Sequence, residues 1–213
     1  KNNNINLIGI SGKMGNGKNN SKLPIINQIT NNKFEEKAFA FKLKQIASIL
    51  TGIEVSKFED QEFKKTLLGE EWTTHTFYED GSPRMYQNMS VRLLLQKLGT
   101  EAMRDNLHQD VWANALFADY KPYCTPKDAF NKDLPNWLIT DLRFPNEFEA
   151  IKNRGGICIR VIRGVEKTPN PNLHHISETS LDNYAFDYII YNNGTIEELI
   201  EKVRKMLQYF KII

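Results

Sequence analysis

Leu7-Ile8-Gly9-Ile10-Ser11-Gly12-Lys13-Met14-Gly15-Asn16-Gly17-Lys18 is the stretch on which the reading of this chain turns. The apolar run from Ile5 to Ile10 is short and β-branched, which predicts a buried strand. It leads straight into a glycine-rich turn with the spacing G-x-x-x-x-G-K, from Gly12 to Gly17 and Lys18. Glycines at those positions let the backbone curl so that its N–H groups converge on phosphate oxygens. A helix that follows offers its positive end to the same anion, and Lys18 adds a mobile point charge. Lys13, Met14, Gly15 and Asn16 supply the remaining amides of the loop. The competing reading is a glycine-rich surface turn with a solvated lysine. The position after the lysine departs from the pattern. A hydroxyl is wanted there to ligate Mg²⁺, whereas the chain has Asn19 and Asn20, with Ser21 two places late. An amide oxygen of Asn19 can still reach the metal directly or through water. Pro24 falls in the second turn of the expected helix and should kink it.

Length and composition bound the rest. A chain of 213 residues, 40% hydrophobic and 25% charged, suits one α/β domain with a full core. With 28 basic and 26 acidic residues the net charge is +2, which argues against a nucleic-acid polymer or a membrane surface as partner. Cys124 and Cys158 lack metal-ligand spacing, and a reducing cytoplasm is the expected setting. Neither a signal peptide nor a membrane-spanning run is expected.

Along the chain, Lys37-Ala38-Phe39-Ala40-Phe41 predicts a second strand, followed by a helix from about Lys42 to Leu50. Lys42 at its start is either solvated or positioned to meet a substrate phosphate. A short helix is expected over Val55 to Leu67. Gly69 to Met89 is polar and aromatic, with Glu79-Asp80-Gly81-Ser82 reading as a hairpin turn. Ser90 is a good N-cap for a helix from Val91 to Leu98. Gly99 is expected to interrupt that helix and Thr100 to cap a new one. Arg92, Gln96 and Arg104 would then lie near a helix break, with Thr100 at it; on spacing alone, a polar helix face with an i,i+3 ion pair from Glu101 to Arg104 is the better explanation.

A further amphipathic helix is expected over Asp110 to Asp119. Trp137-Leu138-Ile139-Thr140-Asp141 reads as a buried strand that ends in an acid. Ligands of parallel sheets bind at the carboxyl ends of strands, so Asp141 and the glycine loop should share one crevice. A strand-end aspartate beside such a loop holds Mg²⁺ or its waters, and Arg143 could steady transferring phosphates. The alternative for Asp141 is a turn or helix cap. Pro145, Glu147 and Glu149 open the next helix. Ile157 to Arg163 predicts a fourth strand, and residues 164–183 a lid-like loop with Arg163, Lys167 and His175 at or within it. Phe186 to Tyr191 predicts a fifth strand, Asn192-Asn193-Gly194 a turn, and Thr195 with Glu198 a capping box for the last helix.

Three stretches together resemble bacteriophage-type deoxynucleoside monophosphate kinases. They are Leu95 to Glu101 (LQKLGTE), Thr140 to Glu147 (TDLRFPNE), and His175 to Thr179 (HISET) together with Asp187 to Thr195 (DYIIYNNGT). The resemblance implies a P-loop kinase fold: three α/β/α layers, a five-stranded parallel sheet, a helical monophosphate-binding excursion over 42–121 and a lid over 164–183, all in one domain of residues 1–213. It also implies phosphoryl transfer from ATP, with Mg²⁺, to a deoxynucleoside monophosphate in the host cytoplasm; a homodimer is compatible with it. Gly12 to Asn19, with Asn193 and Gly194, would bind ATP; Lys18, Asp141 and Arg143 would be catalytic; Asn19 and Asp141 would hold the metal. Lys42, Arg92, Gln96, Thr100 and Arg104 would bind the acceptor. Related loops commonly read Gly-Lys-Asp-Thr, so Asn19 and Asn20 depart from them, as does Phe41 where a small residue is usual. Two alternatives stay open: a catalytically silent nucleotide-binding domain, and a kinase of another small acceptor such as dephospho-coenzyme A.

Overall fold

Residues 5–12, 25–31, 33–122, 134–164 and 180–213 are described by a computed structural model. Their contacts group them into two units. One comprises the segments before Ala40 and after Trp112; the other is Ala40–Trp112.

The first unit is built on a five-stranded parallel sheet, ordered β2-β5-β1-β6-β7. The strands are β1 (Leu7–Ser11), β2 (Glu35–Lys37), β5 (Trp137–Leu142), β6 (Ile157–Ile162) and β7 (Tyr188–Tyr191). β1 is buried along its whole length and occupies the centre, as a near-continuous apolar strand of a parallel sheet should. Its alternate residues serve opposite faces. Ile8 and Ile10 join one core cluster with Ile159, Val161, Leu199, Val203 and Leu207, the last three from the C-terminal helix Ile196–Tyr209. Gly9 faces the other way, onto the helix Pro145–Lys152. A Cβ on Gly9 would collide with Ile151 Cδ1, so glycine admits the Ile151 side chain to this spot. Helices thus cover both faces of the sheet.

Two strands differ from expectation. β2 is Glu35–Lys37 rather than Lys37–Phe41, and the helix begins at Phe41. The cause is a turn at Phe39 and Ala40, whose Phe39 amide donates to Asp141 Oδ1 at 2.8 Å. β7 starts at Tyr188 rather than Phe186, because Phe186 turns to pack edge-on against Phe148.

The second unit packs Ala47, Phe58, Met89, Val91 and Leu94 into a core of its own. The helix Phe41–Thr51 is followed by two 3₁₀ turns, Val55–Glu59 and Phe63–Lys65, instead of one helix over Val55 to Leu67. Asp60 breaks the run: its Oδ1 accepts from the amides of Glu62 and Phe63, a local bond that competes with helix continuation. β3 (Thr74–Phe77) and β4 (Pro83–Gln87) form the expected antiparallel hairpin. Its turn is held by Asp80 Oδ1, which accepts from the Ser82 amide and hydroxyl.

The larger correction concerns Gly99. The chain does not break there. The helix Val91–Gln96, capped by Ser90 Oγ as expected, runs directly into a π-helix, Lys97–Asp105. Gly99 lies buried inside it, where a Cβ would come 2.8 Å from Leu43 Cδ2. Its carbonyl accepts from the buried Trp112 indole at 2.9 Å. Close packing, rather than termination, is the reason for the glycine. No helix among the described residues is long and apolar enough to cross a membrane.

Cys158 on β6 gives the fold a pH signature. Burial, with the Asp187 carboxylate nearby, pushes its thiol up from about 9 to about 12. The unfolded thiol ionises first, so the stability contributed by the protonated thiol is complete below pH 9. It is lost as pH rises from 9 towards 12, with a slope of at most about 1.4 kcal/mol per pH unit. Urea unfolding between pH 8 and 10.5 should show the wild-type protein losing stability faster than Cys158→Ala. Parallel curves would mean the thiol titrates normally.

Candidate functional site

Several of the candidate residues gather at one edge of the sheet unit. Because all five strands run the same way, their carboxyl ends lie together. Gly12 is buried just past the end of β1. Asp141 and Arg143 stand at the end of β5, Arg163 past β6, and Asn193 and Gly194 past β7. β1 is the point from which the sheet is extended in both directions, the position at which open α/β sheets form a ligand crevice. Lys13, Met14, Gly15, Asn16, Gly17, Lys18, Asn19, Lys167 and His175 lie outside the described residues.

The end of β5 is irregular in a useful way. Gly9 pairs with Ile139 and Ser11 with Leu142, so Thr140 and Asp141 together oppose Ile10. An extra residue of this kind bends a strand and re-aims its side chains. Thr140 Oγ1 donates to Glu36 Oε1 at 3.1 Å, and Asp141 Oδ1 takes the Phe39 amide. Both bonds tie β5 to the exit of β2. Asp141 is therefore a scaffold residue at least in part, with one carboxylate oxygen committed to the backbone.

Beyond it, Glu147 organises the turn that carries Arg143. The residue is 3% exposed, and its Oε2 accepts from the amides of Arg143 at 2.9 Å and Phe144 at 3.1 Å. With Pro145 at the first helical position, this is a capping arrangement in which the acid reaches back over the helix start. The guanidinium of Arg143 thus stands on a backbone that cannot swivel freely.

A second buried charge lies one strand away. Arg160 on β6 is 9% exposed; it donates to Ser11 Oγ at 2.9 Å and to Asp182 Oδ1 at 2.7 Å, and its guanidinium lies over the Phe186 ring. Ser11 is the residue immediately before Gly12, so the arginine holds the strand end from which the glycine loop departs. Sequence reasoning missed this role. The signal was an arginine in the middle of an otherwise apolar strand, Ile157-Cys158-Ile159-Arg160-Val161-Ile162, where a charge survives only with partners. Asn193 has a structural duty too, its Oδ1 accepting from the Gly164 amide at 2.6 Å and joining the ends of β6 and β7.

In the helical unit, Lys42 is half-buried in the first turn of Phe41–Thr51. Arg92, Gln96 and Thr100 are exposed and Arg104 half-buried along the continuous α-to-π helix. Arg92 Nη2 approaches Gln61 Oε1 at 3.4 Å.

The model of the family described as deoxynucleotide monophosphate kinase matches residues 36–203. The chain belongs to that family. It is 32% identical over 119 residues to the deoxynucleotide monophosphate kinase of Enterobacteria phage T4, covering 56% of this chain and 46% of the phage protein. The namesake from Escherichia phage RB69 is 31% identical over 120 residues, covering 56% and 45%. The matched stretch thus spans somewhat under half of each phage protein. A protein of Acanthamoeba polyphaga mimivirus is 27% identical over 208 residues, with 92% of this chain and 93% of that one covered.

The family residues Thr140 to Glu147 acquire a physical division of labour from this geometry. Removing the Glu147 carboxylate leaves two amides without their partner, which costs about 1–3 kcal/mol. Glu147→Ala should lower stability by that amount in urea unfolding, and Glu147→Gln, which keeps an acceptor oxygen, should recover most of it. Equal losses in both would show that the negative charge, not the amide capping, is what the site uses.

Proposed function

We propose that the protein transfers the γ-phosphoryl group of ATP to a deoxynucleoside monophosphate, giving ADP and a deoxynucleoside diphosphate. The observation that carries this reading is the gathering of Gly12, Asp141 and Arg143 at the carboxyl edge of a parallel sheet, in a chain of this family. In this reading Gly12 to Lys18 cradle the donor phosphates through backbone amides, and Lys18 neutralises the outer ones. Arg143, set by Glu147, steadies charge on the transferred group. Arg92, Gln96, Thr100 and Arg104, with Lys42, bind the acceptor. Asn193 and Gly194 border the donor base.

The chemistry of the donor set accommodates Mg²⁺. This ion is held by one or two carboxylates plus substrate phosphates rather than by an all-protein cage. No group of three metal-binding side chains is present among the described residues. Asp141 supplies a carboxylate at the end of β5, and Asn19 can add an amide oxygen. When bound, the metal would neutralise donor phosphate charge. Everything else is positioning, since phosphoryl transfer asks for little acid–base help.

A second reading is favoured by Asn19 and Asn20, which replace the expected acid and hydroxyl: a domain that binds nucleotide without turnover. One experiment separates them. Steady-state ADP formation from Mg-ATP is measured with dGMP, dTMP, dCMP, dAMP and their ribose counterparts, for wild type and Lys18→Ala. The proposal predicts acceptor-dependent turnover that falls at least about 100-fold in the variant, with its melting temperature unchanged. Wild-type protein that is folded yet inactive with every acceptor would establish the silent domain instead.

A further inference from the structure

The π-helix Lys97–Asp105 rotates the chain in a way that an α-helix would not. Four residues of α-helix overshoot a full turn by about 40°. Three such steps separate Arg92 from Arg104, so a regular helix would carry Arg104 about 120° around the axis from Arg92. A π-turn closes its bonds from i to i+5. Each residue then turns the chain less, and four residues fall short of a full turn. The α-helical step from Arg92 to Gln96 is therefore offset by the two π-helical steps through Thr100 to Arg104. Arg92, Gln96, Thr100 and Arg104 come to share one stripe.

A wide turn has poorer packing along its axis and must be held from outside. Trp112 does so from the helix Val111–Phe117, and two local bonds close the C-terminal end. Trp112 Nε1 donates to the Gly99 carbonyl at 2.9 Å, Asn106 Nδ2 donates to the Glu101 carbonyl at 2.6 Å, and the His108 amide donates to the Met103 carbonyl at 3.0 Å. The Trp112 bond is buried, and a buried carbonyl without a partner would be unfavourable. Gly99 itself admits Leu43 to the same turn.

We propose that this π-helix is the register device of the acceptor site, and that Trp112 and Asn106 are positioning residues which align two guanidiniums, an amide and a hydroxyl along one face for a phosphorylated nucleotide. Planar guanidiniums suit phosphate oxygens when their forks point the same way. Neither Trp112 nor Asn106 needs to touch the ligand. The inference rests on the acceptor role of Arg92, Gln96, Thr100 and Arg104 given above.

The test uses calorimetric titration of the whole chain with dGMP, dTMP, dCMP and dAMP, and separately with a non-hydrolysable ATP analogue. Amide hydrogen exchange across 97–105 is followed in parallel. Trp112→Phe keeps an aromatic ring while losing the indole donor and some buried volume. It should weaken the best monophosphate about tenfold, leave the ATP analogue within about twofold, and speed exchange in the π-helix. Asn106→Ala, at an exposed position, should act in the same direction with a smaller effect and covers the case in which the tryptophan variant misfolds. Wild-type monophosphate affinity retained in the variants would overturn the inference while leaving the acceptor reading intact. A wild-type protein that binds none of the four monophosphates would overturn both.

Discussion

The hydrogen bond from the Phe39 amide to the Asp141 carboxylate is the constraint on which the sheet unit depends. It joins the exit of β2 to the irregular end of β5 and so sets where the chain leaves the sheet. The extra residue in β5 directs Thr140 to Glu36 and Asp141 to Phe39. Five residues on from Leu142, Glu147 closes the same turn by capping two amides. An acid, an arginine and a second acid in one short stretch thus share the work. The two acids hold backbone on either side of Arg143.

Across the sheet, Arg160 does for β1 and β6 what Asp141 does for β2 and β5. Its guanidinium bonds to Ser11 and Asp182 and stacks on Phe186. A buried arginine is tolerable because its donors and ring face all find partners, and removing one would leave an uncompensated charge. The strand end before Gly12 is therefore held by a side chain from β6.

How much of this was legible depends on how local each cause is. β1, β5 and β6 are continuous apolar runs, and a central parallel strand needs no other signal. The hairpin at Asp80 and the caps at Ser90 and Thr195 are equally local. The alternating Lys37-Ala-Phe-Ala-Phe pattern reads as a strand, yet β2 ends at Lys37. What makes Phe39 a turn is a carboxylate 102 residues away. Gly99 is a second such case. Glycine ends a helix by taking a left-handed φ, whereas Gly99 stays inside the helix with Leu43 and Trp112 against it. The site was legible as residue types at strand ends. The capping by Glu147 and the pairing of Arg160 were not, because both are side-chain bonds that only the folded chain brings together.

We propose, as the central point to test, that Asp141 accepts from the Phe39 amide and that its charge also serves a metal–nucleotide complex. Asp141→Asn separates the two, since its amide oxygen can still accept from Phe39 while the charge is gone. ATP-analogue affinity should be titrated against Mg²⁺ in wild type and Asp141→Asn, with melting temperatures recorded alongside. The account predicts that Mg²⁺ tightens nucleotide binding in wild type, that this gain is lost in the variant, and that both melt together. An equal Mg²⁺ gain in the two proteins would contradict it and leave Asp141 a purely structural residue.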